Sequence, residues 1–416
     1  MIERIIPSKP VGRMSSAVLA LLISTNTAAW AQSSNSEIEQ VQLGDVWSNM
    51  QVEIPDYAWE ASSTSSAVGN AAAGLVNTGD IDLDTTQNLS GNVRADNELL
   101  GGSAGLAVAT TTAYGNSTTG GTWAGNTYYR ADQVATGDVA ASTRVDMQNA
   151  GTVAAATTAI ANVSVPTNEY GMTSAFQTQE SAGSVTAETD VDMCCDGTSA
   201  SFATTAGGNA VSSTGTTTTH YVGAVQETAS GETIAASSDV YMGFGHNVLS
   251  ATSAFGNSAT VHNEWGYATQ GREGSEVYQG NASEIDAQSY VTLDNWSDTA
   301  TSSAYGVGNA ATISNIGSDT GLNAIQNNYG TVTSTASLSG ASPSAGDGIV
   351  TSTAIGNAAT ATLCNYCGDA ALQGRTQQYN SGSVIAQGSG SVGQTGHIFG
   401  SATAVGNSAT YQSTGD

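Results

Sequence analysis

Four histidines (220, 246, 262 and 397), four cysteines and 35 carboxylates are the residues of this chain best suited to chemistry. The histidines are scattered and have no recurrent Ser or Asp at a spacing that would pair a nucleophile with a base, although triad members need not be sequence neighbours. Carboxylates cluster at Asp80, Asp82 and Asp84 and again at Asp190 and Asp192. Alternate acids on a strand face the same way, which suits either a hard cation such as calcium or a solvated strand face. Neither cluster fits the EF-hand loop or the calcium-binding nonapeptide. The cysteines form a vicinal pair, Cys194 and Cys195, and a second pair, Cys364 and Cys367. No histidine lies near either pair, and no strand-to-helix context for a redox motif surrounds them. In a secreted chain a disulfide within Cys364 and Cys367 is the expectation. No catalytic centre, resident metal or cofactor is expected.

The elements that carry these residues are repeats. A small residue, usually Ala, precedes an apolar residue or Gly and then, in most copies, Gly-Asn, with the Asn at 70, 116, 162, 209, 257, 309, 357 and 407. Successive copies are 46, 46, 47, 48, 52, 48 and 50 residues apart. A second element, Gly-x-Val or a close relative, recurs near the half-period at Gly91, Gly137, Gly183, Gly231, Gly330 and Gly382. Units this small cannot bury a core alone, so the pattern predicts a stacked, elongated architecture. Segments such as Val332-Thr333-Ser334-Thr335-Ala336-Ser337-Leu338 alternate apolar with hydroxyl residues, which reads as short strands between Gly and Asn turns. The expected fold is an all-β, repetitive β-solenoid, β-helix-like, with repeats of about 48 residues and two rungs in each. At the strand spacing, two rungs per repeat make a rod of about 70 Å. Asn at equivalent turns of successive repeats is placed to form an amide ladder.

Residues 1–31 read as a signal peptide: Arg4, Lys9 and Arg13 precede an apolar run from Ala17 to Ile23, and Ala29-Trp30-Ala31 has the small-x-small form of a cleavage site. Residues 32–63, with Trp47, Tyr57, Trp59 and Pro55, stand apart as an N-terminal cap or docking segment ahead of a repeat region at 64–416. The formal net charge is −27, and after residue 31 the basic residues are Arg94, Arg130, Arg144, Arg272 and Arg375, with no lysine. Such a chain cannot neutralise phosphates, which excludes nucleic acid as its main ligand. The acidity suits amine-bearing polymers, and it also keeps strand-rich surfaces from adhering to one another. Aromatic residues at Tyr128, Tyr170, Tyr221, Trp265, Tyr329 and Tyr379 lie between a Gly-Asn element and the next repeat. Flat rings with polar edges serve either cross-strand packing or stacking on sugars.

The Ala-x-Gly-Asn-x-Ala pattern at Ala354-Ile355-Gly356-Asn357-Ala358-Ala359 and its counterpart at 404–409 resembles trimeric autotransporter head repeats, which recur at a much shorter period. Tyr278-Gln279-Gly280-Asn281-Ala282 is similar to the residue usage of curlin repeats. Over nearly its whole mature length, a lysine-free chain of Gly-Asn-Ala/Ser repeats resembles the holdfast attachment protein D family of stalked alphaproteobacteria. That resemblance implies an exported protein at the cell surface, outside the outer membrane, that anchors an extracellular adhesive polysaccharide to the envelope. By the same resemblance its partners are companion anchor proteins and an outer-membrane secretion lipoprotein, and self-assembly fits the repeat. A secreted polysaccharide-degrading β-helix enzyme and a curli-like fibre subunit are the competing readings.

Overall fold

The computed structural model describes residues 33–216, 218–271, 276–343, 346–365, 370–394 and 396–415. The signal segment, Arg272 and Cys367 lie outside them. Among the described residues the chain is all-β, without a helix, and its strands join in parallel. Short strands alternate with long ones: Ile81–Leu89 precedes Val93–Ala124, Thr127–Ala135 precedes Val139–Ser181, and Thr320–Asn328 precedes Val332–Pro343 and Asp347–Cys364.

Pairing spans one whole repeat. Val93 faces Val139, which faces Val185, and Asn116 faces Asn162, which faces Asn209. Each repeat therefore contributes a single layer, not the two rungs predicted from the half-period Gly. The half-period element divides the layer differently. It lies in a three-residue connector that joins a short strand to the following long one, as at 136–138. A Cβ on Gly137 would lie 2.1 Å from the Gly91 carbonyl oxygen of the layer before, so the residue is glycine because backbone passes directly over backbone. The long strand then folds back, so that within Val139–Ser181 the Thr157 hydroxyl meets that of Thr143 at 2.6 Å, and the layer becomes two facing walls. Eight such layers at the strand spacing span roughly 40 Å, not 70 Å.

The eight repeat asparagines, predicted to occupy turns between strands, lie inside strands. Asn70 is within Val46–Thr78 and Asn257 within Thr233–Glu264. In most copies the residue before the Asn is buried as well, so two successive positions face inward and the in-out alternation slips by one. The wall bends there without losing its partners in neighbouring layers. The segment predicted to stand apart at 32–63 is likewise part of the stack. Ser34–Gln42 pairs with 81–89, and Val46 onward pairs with Val93 onward, so it forms the first layer, and the boundary at 64 falls inside one strand.

The interior holds two apolar cores. One runs through Val93, Leu99, Val139, Val145, Val191 and Ile285, and the other through Ile81, Leu83, Ala131, Val222 and Val261. Two amide columns run between them. Each repeat Asn donates to the next one along the chain, from Asn70 through to Asn407, at 2.7–2.8 Å. Opposite stands a column of Gln40, Gln87, Gln133, Gln179, Gln226, Gln279, Gln326 and Gln378, also bonded at 2.7–2.8 Å. Its donors point toward the preceding layer, so the two runs of side-chain dipoles oppose each other.

The columns also clasp the two walls together. Asn116 donates to the Val134 carbonyl, the residue after Gln133, while Gln133 donates to the Val163 carbonyl, the residue after Asn162. The same exchange recurs through Asn162 with Glu180 and Gln179 with Ala210, and through Asn309 with Asn327 and Gln326 with Ala358. Each interior amide thus spends one N–H within its column and the other across the walls, while its oxygen accepts from the neighbouring layer. A buried polar network satisfied in this way stabilises, whereas one broken link leaves several buried groups unpaired.

Two experiments follow. Deleting residues 257–308 rejoins equivalent positions and is expected to preserve the strand signal in far-UV circular dichroism and the resistance to protease. Deleting residues 257–280, about half a layer, is expected to abolish both, and equal damage from the two would contradict the layer assignment. Neighbouring glutamines give a sharper contrast. Gln179 belongs to its column, whereas Gln177, buried two residues earlier, has neither amide atom hydrogen-bonded. Gln179→Leu should cost about 2–4 kcal/mol, and Gln177→Leu should gain about 1 kcal/mol. Denaturant unfolding of both variants measures the difference.

Candidate functional site

With the fold-holding groups inside, the outward positions carry the side chains open to solvent. Three arginines there pair with the acid two residues on: Arg94 with Asp96 at 2.7 Å, Arg130 with Asp132 at 3.5 Å and Arg144 with Asp146 at 3.2 Å. All lie on the surface, where such pairs contribute little to stability. Asp82 and Asp84 do share the outer face, but Asp80 sits at a corner, where its carboxylate accepts the Asn126 backbone N–H of the next layer at 2.8 Å. Asp190 stacks between Arg144 and Asp239, and Asp192 stacks between Asp146 and Tyr241. Partial burial raises the pKa of Asp190; Asp239, Asp192 and Asp146 add to the rise, and Arg144 opposes it. Among the described residues no three His, Cys, Asp or Glu side chains converge to hold a metal ion. Cys194 and Cys195 are exposed beside an irregularity in the ladder, and Cys364 is half-buried.

The aromatic residues form separate groups. Trp123 meets Tyr170 edge-on at 5.5 Å, and Tyr329 meets Tyr379 at 6.0 Å. Tyr221 meets Tyr267 at 5.8 Å, so packing between layers accounts for one side of each ring. The other side is open: Tyr128, Tyr170, Trp265, Tyr329 and Tyr379 are 41–57% exposed. Trp265 has a φ of 63°, a backbone state uncommon for a bulky side chain, and its ring covers Gly317. Tyr128 and Tyr221 stand in one column with Ser174 between them, and with Phe176 they line a groove of about 390 Å³. The gap arises because the intervening layer carries a small residue. Such a groove offers apolar ring faces and hydroxyl edges but no ionised group.

Layer stacking also assembles a cluster invisible in sequence order. His246 Nδ1 lies 2.6 Å from Ser297 Oγ, and its Nε2 lies 3.9 Å from Asp298. These are the residue types of a hydrolase triad. The Asp, however, is beyond hydrogen-bond reach and both side chains are about half exposed, so nothing fixes the tautomer or excludes water. His262 beside Glu264 and His397 beside Asp347 are also surface contacts.

His220 differs, being fully buried, and burial lowers its pKa from 6.5 to about 4 against a smaller opposing effect of a backbone hydrogen bond to Thr214. Above pH 6.5 neither the folded nor the unfolded chain binds this proton. Between pH 6.5 and about 4 only the unfolded chain does, so stability falls across that window, by roughly 3 kcal/mol in total, and the loss levels off below it. Chemical denaturation at several pH values is expected to show this slope in the parent chain and a smaller one in His220→Gln.

No curated protein and no solved structure matches the chain. The family model for holdfast attachment protein D matches residues 55–331, well over half of the chain and six of its eight repeat asparagines. The chain belongs to the holdfast attachment protein D family.

Proposed function

We propose that this protein is a β-solenoid anchor subunit at the cell surface, exported with removal of residues 1–31, which fastens an extracellular adhesive polysaccharide to the cell envelope. The observation that carries the reading is the division of labour between the two sides of the walls. Amides and small apolar residues facing inward hold the layers, and the outward positions of several layers carry rings and hydroxyls left open. Repeated weak contacts along a stack retain a polymer by avidity without any single tight site. The groove at Tyr128, Phe176 and Tyr221 is the stacking platform best formed for a sugar ring. Companion anchor proteins and a secretion lipoprotein in the outer membrane are the partners this role requires. An anchor of this kind is not an enzyme, and the exposed His246 cluster has no part in it.

Cells lacking the gene are expected to shed their surface polysaccharide and to lose adhesion under flow. Restoring the parent chain should recover both, whereas restoring Tyr128→Ala with Tyr221→Ala should give normal protein at the surface and reduced polysaccharide retention. Intact mass of the recovered protein is expected to place its N-terminus at Gln32. Unchanged retention and adhesion in the null cells would refute the anchor role, and reducing-sugar release by the purified chain would favour the enzyme.

A further inference from the structure

The two end layers have the same outline. Among the described residues, Ser34–Gln42 and Val46–Thr78 pair only with the following layer, and Leu372–Asn380, Val384–Gln394 and Ile398–Thr414 only with the preceding one. In both end layers a nine-residue strand is followed by three residues and a Val, at 46 and at 384, so Ser34 and Leu372, Glu37 and Arg375, and Gln40 and Gln378 occupy equivalent positions. Each end also leaves its core half-covered: Ile38, Val46, Val52 and Ala58 at one, and Leu372, Val384, Ala386 and Val392 at the other.

The polar groups on the two edges are opposites. At the last layer Asn407 accepts from Asn357 and keeps its N–H groups, while Gln378 donates to Gln326 and Ser408 and keeps its oxygen. At the first layer Asn70 has donated both ways and keeps its oxygen, and Gln40 keeps an N–H. Charge divides the same way. The first layer carries Glu37, Glu39, Asp45, Glu53, Asp56 and Glu60 and no base. Residues 372–415 carry no acid, and Arg375 there makes no ion pair among the described residues.

We infer that a second copy of this chain docks head to tail, its first layer on the last layer of the copy before. In that register Asn407 donates to Asn70 of the next copy, whose Gln40 donates to Gln378, so both amide columns continue with unchanged polarity. Glu37 then comes beside Arg375. Two first layers face to face would instead oppose their acids. Because the two surfaces differ, the contact does not close on itself, and copies add into a polar rod. The inference rests on the layer stacking and is independent of polysaccharide binding, so a protein that assembles without retaining polymer would refute only the proposed function.

The experiment uses the mature chain in sedimentation velocity and negative-stain electron microscopy over a range of concentrations. The expected result is rods that lengthen in steps of about 40 Å. Glu37→Arg and Arg375→Glu alter outward side chains, so circular dichroism should be unchanged. Each variant alone should raise the concentration for half-assembly at least about tenfold by setting like charges together. An equal mixture of the two should recover assembly, since each end then meets its opposite. A folded parent that stays a single copy at every concentration would overturn the inference, whether its first layer is open or covered by residues before Ser34. Assembly indifferent to both substitutions, or not rescued by mixing, would overturn it as well.

Discussion

The whole structure depends on an exchange of hydrogen bonds between two side-chain amides and two walls. A layer of about 48 residues rich in Ala, Ser, Thr and Gly buries little apolar area, and the columns of Ala along the walls pack closely without supplying much of it. Parallel layers of such residues have little to fix their register, because one hydroxyl or methyl resembles another. An Asn column and a Gln column supply what is missing. Slippage by one residue would bury unpaired amides in every layer, and displacement of one wall would break the crossed bonds to the opposite carbonyls.

This interior explains why the surface is free to vary. Equivalent outward positions carry Asp82, Tyr128, Ser174 and Tyr221 in successive layers without change to the pairing beneath. Acid, ring and hydroxyl can therefore vary from layer to layer while the frame stays constant. The division also accounts for the absence of a buried reactive pocket among the described residues. The buried side chains are spent on register, and the titratable ones, His220 and Tyr129 excepted, remain near solvent.

Much of the frame was legible in the sequence. Period, strand content and the eight asparagines follow from Gly-Asn spacing, because a bend that buries two successive residues accepts few residue types. The Gln column keeps the same period from Gln40 to Gln378 and could have been read from spacing alone. It escaped notice because Gln lies within an ordinary run of alternation, with no Gly or fixed neighbour to mark it. The half-period Gly misled for a related reason. A close pass of backbone over backbone occurs both where one layer rises to the next and where a connector joins two strands of a single layer, and sequence does not distinguish them. The meeting of His246 with Ser297 and Asp298 depended on knowing the register across a 51-residue separation. The aromatic residues were identifiable individually, but the groove between Tyr128 and Tyr221 depended on the small Ser174 in the layer between them.

The central claim is that the side-chain amides are structural bonds in the folded chain. Hydrogen exchange of the Asn and Gln side-chain N–H groups, followed by NMR on selectively labelled protein, tests it most directly. The account predicts that the amides of Asn116, Asn162, Asn209, Gln133, Gln179 and Gln226 exchange only as fast as the backbone of the central strands opens. Those of Asn407 and Gln40, at the ends, should exchange far faster in the single-copy protein. Free exchange of the central amides alongside a protected backbone would contradict the account.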